Sequence, residues 1–176
     1  MPWRTGDRDP RWGTPWPLFL EIQRRFGWGG YTIDPCAEEW SAKCPRFYTA
    51  EDDGLSQPWG TITAPGRAFI NPDFSDIGPW FREALAKLRK AEIELATFLV
   101  PARTGMPWWH EVVLPFCSVV WCVGRVEFLP PPDYTGPVTS HGEDMVVCNM
   151  GRALEPRALP KVTMEVTDGL FARKHG

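Results

Sequence analysis

The sequence predicts a doubly wound α/β fold with a mostly parallel sheet, and three observations predict it. Short apolar segments alternate with helix-periodic ones, the pattern of βαβ units. One apolar segment, Leu95 to Val100, is nearly continuous, as a strand buried on both faces requires. Three segments end at Asp34, Asn71 and Pro101, and in parallel sheets ligands bind at the carboxyl ends of the strands.

In chain order, a first helix opens at Thr14-Pro15, with threonine as N-cap and proline at the first helical position. Leu18, Phe19, Ile22 and Phe26 share one face of it, and Gly27 stops it. Tyr31 to Ile33 reads as a strand ending at Asp34, and Arg67 to Ile70 as a strand ending at Asn71. A second helix spans Asp76 to Lys90, with Ile77, Phe81, Leu85 and Leu88 as its apolar stripe and Arg82, Lys87 and Arg89 on the wet side. The Leu95 to Val100 strand follows, then a short helix from Pro107 to Leu114 and a strand from Ser118 to Val123. Gly124-Arg125 marks a turn or bulge before Val126 to Leu129. A further strand lies at Met145 to Cys148, with another candidate at Val162 to Val166. Pro130 to Gly142, rich in Pro, Gly, Ser and Thr, is a surface loop, and residues 170–176 form a frayed tail.

The length of 176 residues suits one domain, 1–176, around one core. No apolar run is long enough to span a bilayer, and the first residues lack the apolar stretch of a secretory signal, so a cytosolic location is expected. The cysteines at 36, 44, 117, 122 and 148 are odd in number and irregular in spacing, which is no disulfide framework. There is no CxxC pair, and His110, His141 and His175 are scattered, so no metal is expected. A net charge of −3 does not advertise a nucleic-acid binder, and any such contact must come from a local patch. The ten tryptophans are assigned to core, pocket walls or a base-stacking face.

The sharpest motif is Asn71-Pro72-Asp73-Phe74 after a strand. An exocyclic adenine amine is a poor nucleophile because its lone pair is delocalised into the ring. Two acceptors for its N–H groups favour a more pyramidal nitrogen, and the Asn71 side chain and Pro72 carbonyl are of the right kind. Phe74 can stack on a base flipped out of the duplex. Such a site works by positioning and electrostatics. Equally, Asn-Pro is a common turn dipeptide, with Ser75 or Asp76 as N-cap of the next helix. Asp34-Pro35-Cys36 offers an acid for an ammonium and backbone N–H groups for a carboxylate. In Glu51-Asp52-Asp53-Gly54 an acid can accept from an amine or ribose, or simply form a solvated turn.

Taken in order, these stretches resemble the small phage-type DNA N6-adenine methyltransferases, the Dam-like enzymes. The resemblance runs from about Trp12 to Val147. It rests on Trp12-Gly13-Thr14-Pro15; Tyr31-Thr32-Ile33-Asp34; Ala42-Lys43-Cys44-Pro45-Arg46-Phe47-Tyr48-Thr49; and Asp52-Asp53-Gly54-Leu55 with Trp59. It continues through Asn71-Pro72-Asp73-Phe74-Ser75, Val100-Pro101-Ala102-Arg103-Thr104, Trp108-Trp109, Gly124-Arg125 and Phe128. It implies a Rossmann-like, seven-stranded methyltransferase sheet, S-adenosylmethionine as methyl donor without a metal, and double-stranded DNA as partner inside a bacterial cell, encoded by a phage or prophage. No obligate protein partner is implied. It puts Trp12, Thr14, Pro15, Asp34, Pro35, Cys36 and Asp53 at the cofactor, and Asn71, Pro72 and Phe74 at the target adenine. Asp73, Arg103 and Trp108 are further candidates for substrate contact. Arg103 reads as a phosphate or base contact or as a salt-bridge partner, and Trp108 and Trp109 as pocket wall. Arg24, Arg25, Arg82, Arg89 and Lys90 read as a phosphate-binding face or as plain solvated charge. The family pattern has a second proline at Asp73 and tends to have Asn at Ser41. Asp73 leaves a binding-only relative as an alternative. Methylation of another amine or amide, such as a protein glutamine, is a second, against which the breadth of the match argues.

Overall fold

The computed structural model describes residues 11–122, 124–138 and 141–151. Val123, the candidate strand at 162–166 and the tail at 170–176 lie outside them. The chain opens with helix α1, Trp16–Phe26, whose N-cap is Pro15 with no side-chain capping bond. Thr14 is therefore not the cap that the sequence suggests. Its hydroxyl instead accepts a hydrogen bond from the Asn71 side-chain amide at 3.0 Å.

Six strands form the sheet: β1 Ile33–Asp34, β2 Arg46–Phe47, β3 Gly66–Ile70, β4 Ile93–Pro101, β5 Ser118–Trp121 and β6 Met145–Gly151. Their order is β2-β1-β3-β4-β6-β5. The first four run parallel, and β6 is antiparallel to both β4 and β5. The sheet is thus mostly parallel with one reversed strand near its edge. It has six strands among the described residues where the resemblance implies seven. β2 escapes sequence reading because two residues cannot show a period of two.

Alternate residues of β4 serve opposite faces. Leu95 and Leu99 pack with Phe19 and Ile22 of α1, Phe69, Met145 and Val147. Ala96, Phe98 and Val100 pack with Phe81, Ala84, Leu85 and Leu88 of helix α2, Gly78–Arg89. The Phe81 ring lies flat between Phe98, 3.8 Å away, and Trp108, 5.1 Å away. Both sheet faces are covered, which is why the β4 sequence is nearly continuously apolar, broken only by Glu94 and by Thr97, whose hydroxyl donates to Asn149 Oδ1 at 2.6 Å.

α2 starts two residues later than its periodicity suggests, and neither Ser75 nor Asp76 caps it. The Asp73 carboxylate accepts the Ser75 N–H at 2.9 Å, so the preceding turn is closed by its own side chain. After β4, Trp109–Val113 winds as a π-turn and continues into α3, Leu114–Phe116. Pro115 supplies no N–H to an i→i−4 ladder there. Gly124 turns the chain at φ 84°, and Val126 and Phe128 beyond it are buried. Leu129 then exchanges two 2.8 Å backbone bonds with Gly13, which fastens the Trp12–Pro15 segment over the rim of the sheet.

Candidate active site

The carboxyl ends of β1, β3 and β4 place Asp34, Asn71 and Pro101 on one rim. Asp34 is buried, and its Oδ2 accepts the Lys43 backbone N–H at 3.2 Å. Burial pushes the carboxyl up to about 6, against the pull of that N–H, the Lys43 charge and the Cys36 backbone N–H. Lys43 is itself buried, with Nζ 2.5 Å from the Ser41 carbonyl and 4.6 Å from the centre of the Trp16 ring. Burial lowers the Lys43 pKa, which the Asp34 charge opposes. The neighbouring Cys36 thiol is pushed well up by burial and then by the Asp34 charge, so it is a poor nucleophile.

These groups surround a cavity of about 20 Å³ whose walls include Trp12, Gly13, Thr14, Asp34, Cys36, Lys43 and Asn71. Four residues expected at the cofactor, Trp12, Thr14, Asp34 and Cys36, thus meet at one place. Pro15 and Pro35 flank it in the chain without lining it. Asp53 does not line it either. It is exposed, at the left-handed φ of 51°, on the turn after Ala50–Asp52. That turn is nevertheless seated against the end of β1: a Cβ on Gly54 would lie 1.8 Å from the Pro35 carbonyl oxygen. Glycine is required at 54 because the two backbones touch.

Asn71 is held by its amide. Nδ2 donates to Thr14 Oγ1, and Oδ1 is buried with no hydrogen-bond partner. An unsatisfied buried carbonyl costs about 1–3 kcal/mol, so such an atom marks a place where a donor is to arrive. Pro72 follows it, buried. Phe74 stands edge-on to His141 and Phe128, at 5.2 and 5.8 Å. Phe74 lines a second cavity of about 260 Å³, with Arg103, Trp108, Arg82, Met106 and the first residues of α2. The motif therefore stands between two cavities, with Asn71 on the small one and Phe74 on the large one.

Of the three substrate-contact candidates, Arg103 and Trp108 line the large cavity and Asp73 lines neither. Trp108 is 4% exposed and stacks on Phe81, so it is wall. Arg103 is engaged inside the protein. Its Nε and Nη2 grip both Glu143 oxygens at 2.8 and 2.9 Å, and Nη1 donates to the Phe74 carbonyl. Of the cations considered for a phosphate face, Arg24 and Arg25 pair with Glu21, Arg82 pairs with Glu111, Arg89 lies over the Phe116 ring, and Lys90 is exposed at the end of α2. Sequence reasoning did not single out Lys43, His141 or Glu143. Lys43 lies in a stretch that carries the resemblance, yet nothing in a sequence announces a buried lysine. Among the described residues no group of three His, Cys, Asp or Glu could hold a metal, and no helix is long and apolar enough to cross a membrane.

The family model for DNA N-6-adenine-methyltransferase (Dam) matches residues 4–160. A DNA N-6-adenine-methyltransferase of Escherichia phage T1 is 24% identical over 111 residues, covering 62% of this chain and 43% of that protein. A putative methyltransferase, YfdM, of Escherichia coli strain K12 is 36% identical over 72 residues, 40% of this chain and 72% of that protein. The match thus spans less than half the length of the phage relative. With the model covering nearly the whole sequence, and the sheet, the buried strand-end acid and the Asn71-Pro72 loop in place, the chain belongs to the DNA N-6-adenine-methyltransferase (Dam) family.

Proposed function

We propose that the protein transfers a methyl group from S-adenosylmethionine to the N6 amine of adenine in double-stranded DNA. One observation carries this reading: the Asn71 Oδ1 is buried, without a donor, and held in place through Thr14. An adenine amine has two N–H groups, and Asn71 Oδ1 with the Pro72 carbonyl supplies an acceptor for each. Their pull localises the nitrogen lone pair, and because Asn71 Oδ1 is held beforehand through Thr14, little reorganisation of it opposes the reaction. Phe74 offers a face for the extrahelical base, and Trp108 closes the wall behind the larger cavity.

The residues on the smaller cavity suit the methyl donor. Asp34 offers a carboxylate to its ammonium group, Trp12 an apolar wall, and the Asp53 turn an acid close by. S-adenosylmethionine, when bound, supplies an electrophilic methyl group on a sulfonium. At the Gly13 wall of the smaller cavity the backbone lies close on Ser41: a Cβ on Gly13 would be 2.8 Å from the Ser41 Cβ. The phage relative supports action inside a bacterial cell on phage or host DNA.

The test is methyl transfer from labelled S-adenosylmethionine to unmethylated genomic DNA, RNA and bulk protein in parallel. Label recovered as N6-methyladenine in DNA is the expected outcome. Label on protein alone, or on nothing while the cofactor still binds, defeats the reading.

A further inference from the structure

We infer that Glu143 is a positioning residue for the Asn71–Phe74 loop, acting on the Phe74 backbone through Arg103 and on the Phe74 ring through His141. The inference rests on the proposed reaction, because it concerns how the base-stacking ring is aimed.

The geometry follows from the register of the sheet. β4 and β6 pair antiparallel with Pro101 opposite Met145. The ladder continues past the strand ends, since the Ala102 N–H donates to the Asp144 carbonyl at 2.9 Å. Arg103 and Glu143 are the next pair out, and they meet through two parallel bonds of 2.8 and 2.9 Å. The third arm of the same guanidinium donates to the Phe74 carbonyl, on the loop after the neighbouring strand β3. Glu143 also lies 3.3 Å from His141 Nε2, and the His141 ring packs edge-on against Phe74 at 5.2 Å. One carboxylate thus touches both supports of one aromatic ring.

The fork is not needed to hold the strands together. Seven residue pairs already join β4 to β6, and the Arg103 and Glu143 side chains are 30% and 37% exposed. Ion pairs that wet contribute little to stability. A planar two-pronged pair does, however, fix direction, because guanidinium and carboxylate match in one plane. Arg103 committed in this way on one side to Glu143 and on another to Phe74 has a positioning geometry, in place of the phosphate or base contact considered from sequence.

The experiment uses the full chain as parent, Arg103→Gln, Glu143→Gln and the double variant, with unmethylated genomic DNA. It reads the saturating methyl-transfer rate, the half-saturating DNA concentration and the melting temperature. Each single variant is expected to lose about tenfold or more in saturating rate, since misplacing a reacting group by a fraction of its size has effects of that order. Half-saturation should stay within about twofold, because ground-state binding is not what is lost. The double variant should be no slower than the slower single one, since both break the same link. The inference is overturned if Glu143→Gln tightens DNA binding while Arg103→Gln loosens it at an unchanged saturating rate, for then Arg103 is a phosphate contact. It is equally overturned if rates are parental and melting alone falls. If the parent transfers no methyl group to DNA, the proposed reaction fails on its own account. The network is then judged by melting of Glu143→Gln, Phe74→Ala and their combination: non-additive shifts uphold it and additive ones overturn it.

Discussion

Asp34→Asn is the most informative single change, because it separates the cost of a buried charge from its use. Asparagine keeps the shape and can still accept the Lys43 N–H that Asp34 Oδ2 accepts at 3.2 Å. What it removes is an ionisation that burial has moved from 3.8 to about 6. That is about two decades at about 1.4 kcal/mol each, so holding Asp34 ionised costs the fold on the order of 3 kcal/mol. The folded chain binds this proton more tightly than the unfolded one. Stability is therefore lost as pH rises from about 4 through about 6, and it stays lost above. At about pH 8 the asparagine variant should be more stable than the parent by up to about 3 kcal/mol, or about 6–12 °C in melting temperature for a domain this size. That figure is already net of the attraction to Lys43, which opposes the shift. Towards about pH 4 the two proteins should converge, since the parent then carries the proton. Added S-adenosylmethionine should raise the melting of the parent at about pH 8 by ligand linkage and leave the variant almost unmoved. Scanning fluorimetry over this pH range, with and without cofactor, checks all of it. A variant that melts below its parent at about pH 8, or a gap that ignores pH, refutes the reasoning.

Asn71→Ala should lower the methyl-transfer rate by about a hundredfold or more while cofactor-induced stabilisation persists, read by single-turnover kinetics beside melting. Gly54→Ala should destabilise by about 1–3 kcal/mol, because its Cβ falls on the Pro35 carbonyl and one backbone must retreat; denaturant unfolding measures this. Asp73→Pro forfeits the bond that the Ser75 N–H donates to the carboxylate, worth about 0.5–1.5 kcal/mol, and gains a stiffer loop. Its activity should equal or exceed the parental value. A fall of about a hundredfold in both Asp73→Pro and Asp73→Asn, with binding intact, would show the carboxylate to take part in the chemistry.

Long elements were legible because period and burial agree in them, except at Lys87, expected on the wet side of α2 and buried against Glu83, Glu92 and the Gln57 carbonyl. α2 and β4 declare themselves, and the expected ends miss by about two residues where a turn or a capping bond intervenes. The meeting of Asp34, Asn71 and Pro101 on one rim was legible through residues that end strands, since the topology of a parallel sheet brings such ends together whatever the loops do. Thr14 was misread because N-capping is its commonest local role, and the competing partner, Asn71, is far away in sequence. Arg103 shows the same limit from the other side. Whether a guanidinium meets a phosphate or a carboxylate depends on strand register, and the register of β4 against β6 is a long-range property. Lys43 needed a buried setting that only the folded chain supplies.

The reversed strand has a consequence for how the molecule is made. Among the described residues β5 is hydrogen-bonded to β6 alone, and β6 wedges between it and β4. During synthesis β1 to β4 leave the ribosome in an order that lets each find a neighbour already present or soon to come. β5 emerges with no strand to join, and β4 meanwhile presents the side that β6 will take. Assembly of this flank waits for residues 145–151. Domains build as their segments emerge, and unpaired edges invite wrong partners in the interval. The same late segment brings Glu143 beside Arg103, so the Asn71–Phe74 loop acquires this support at the moment the sheet closes.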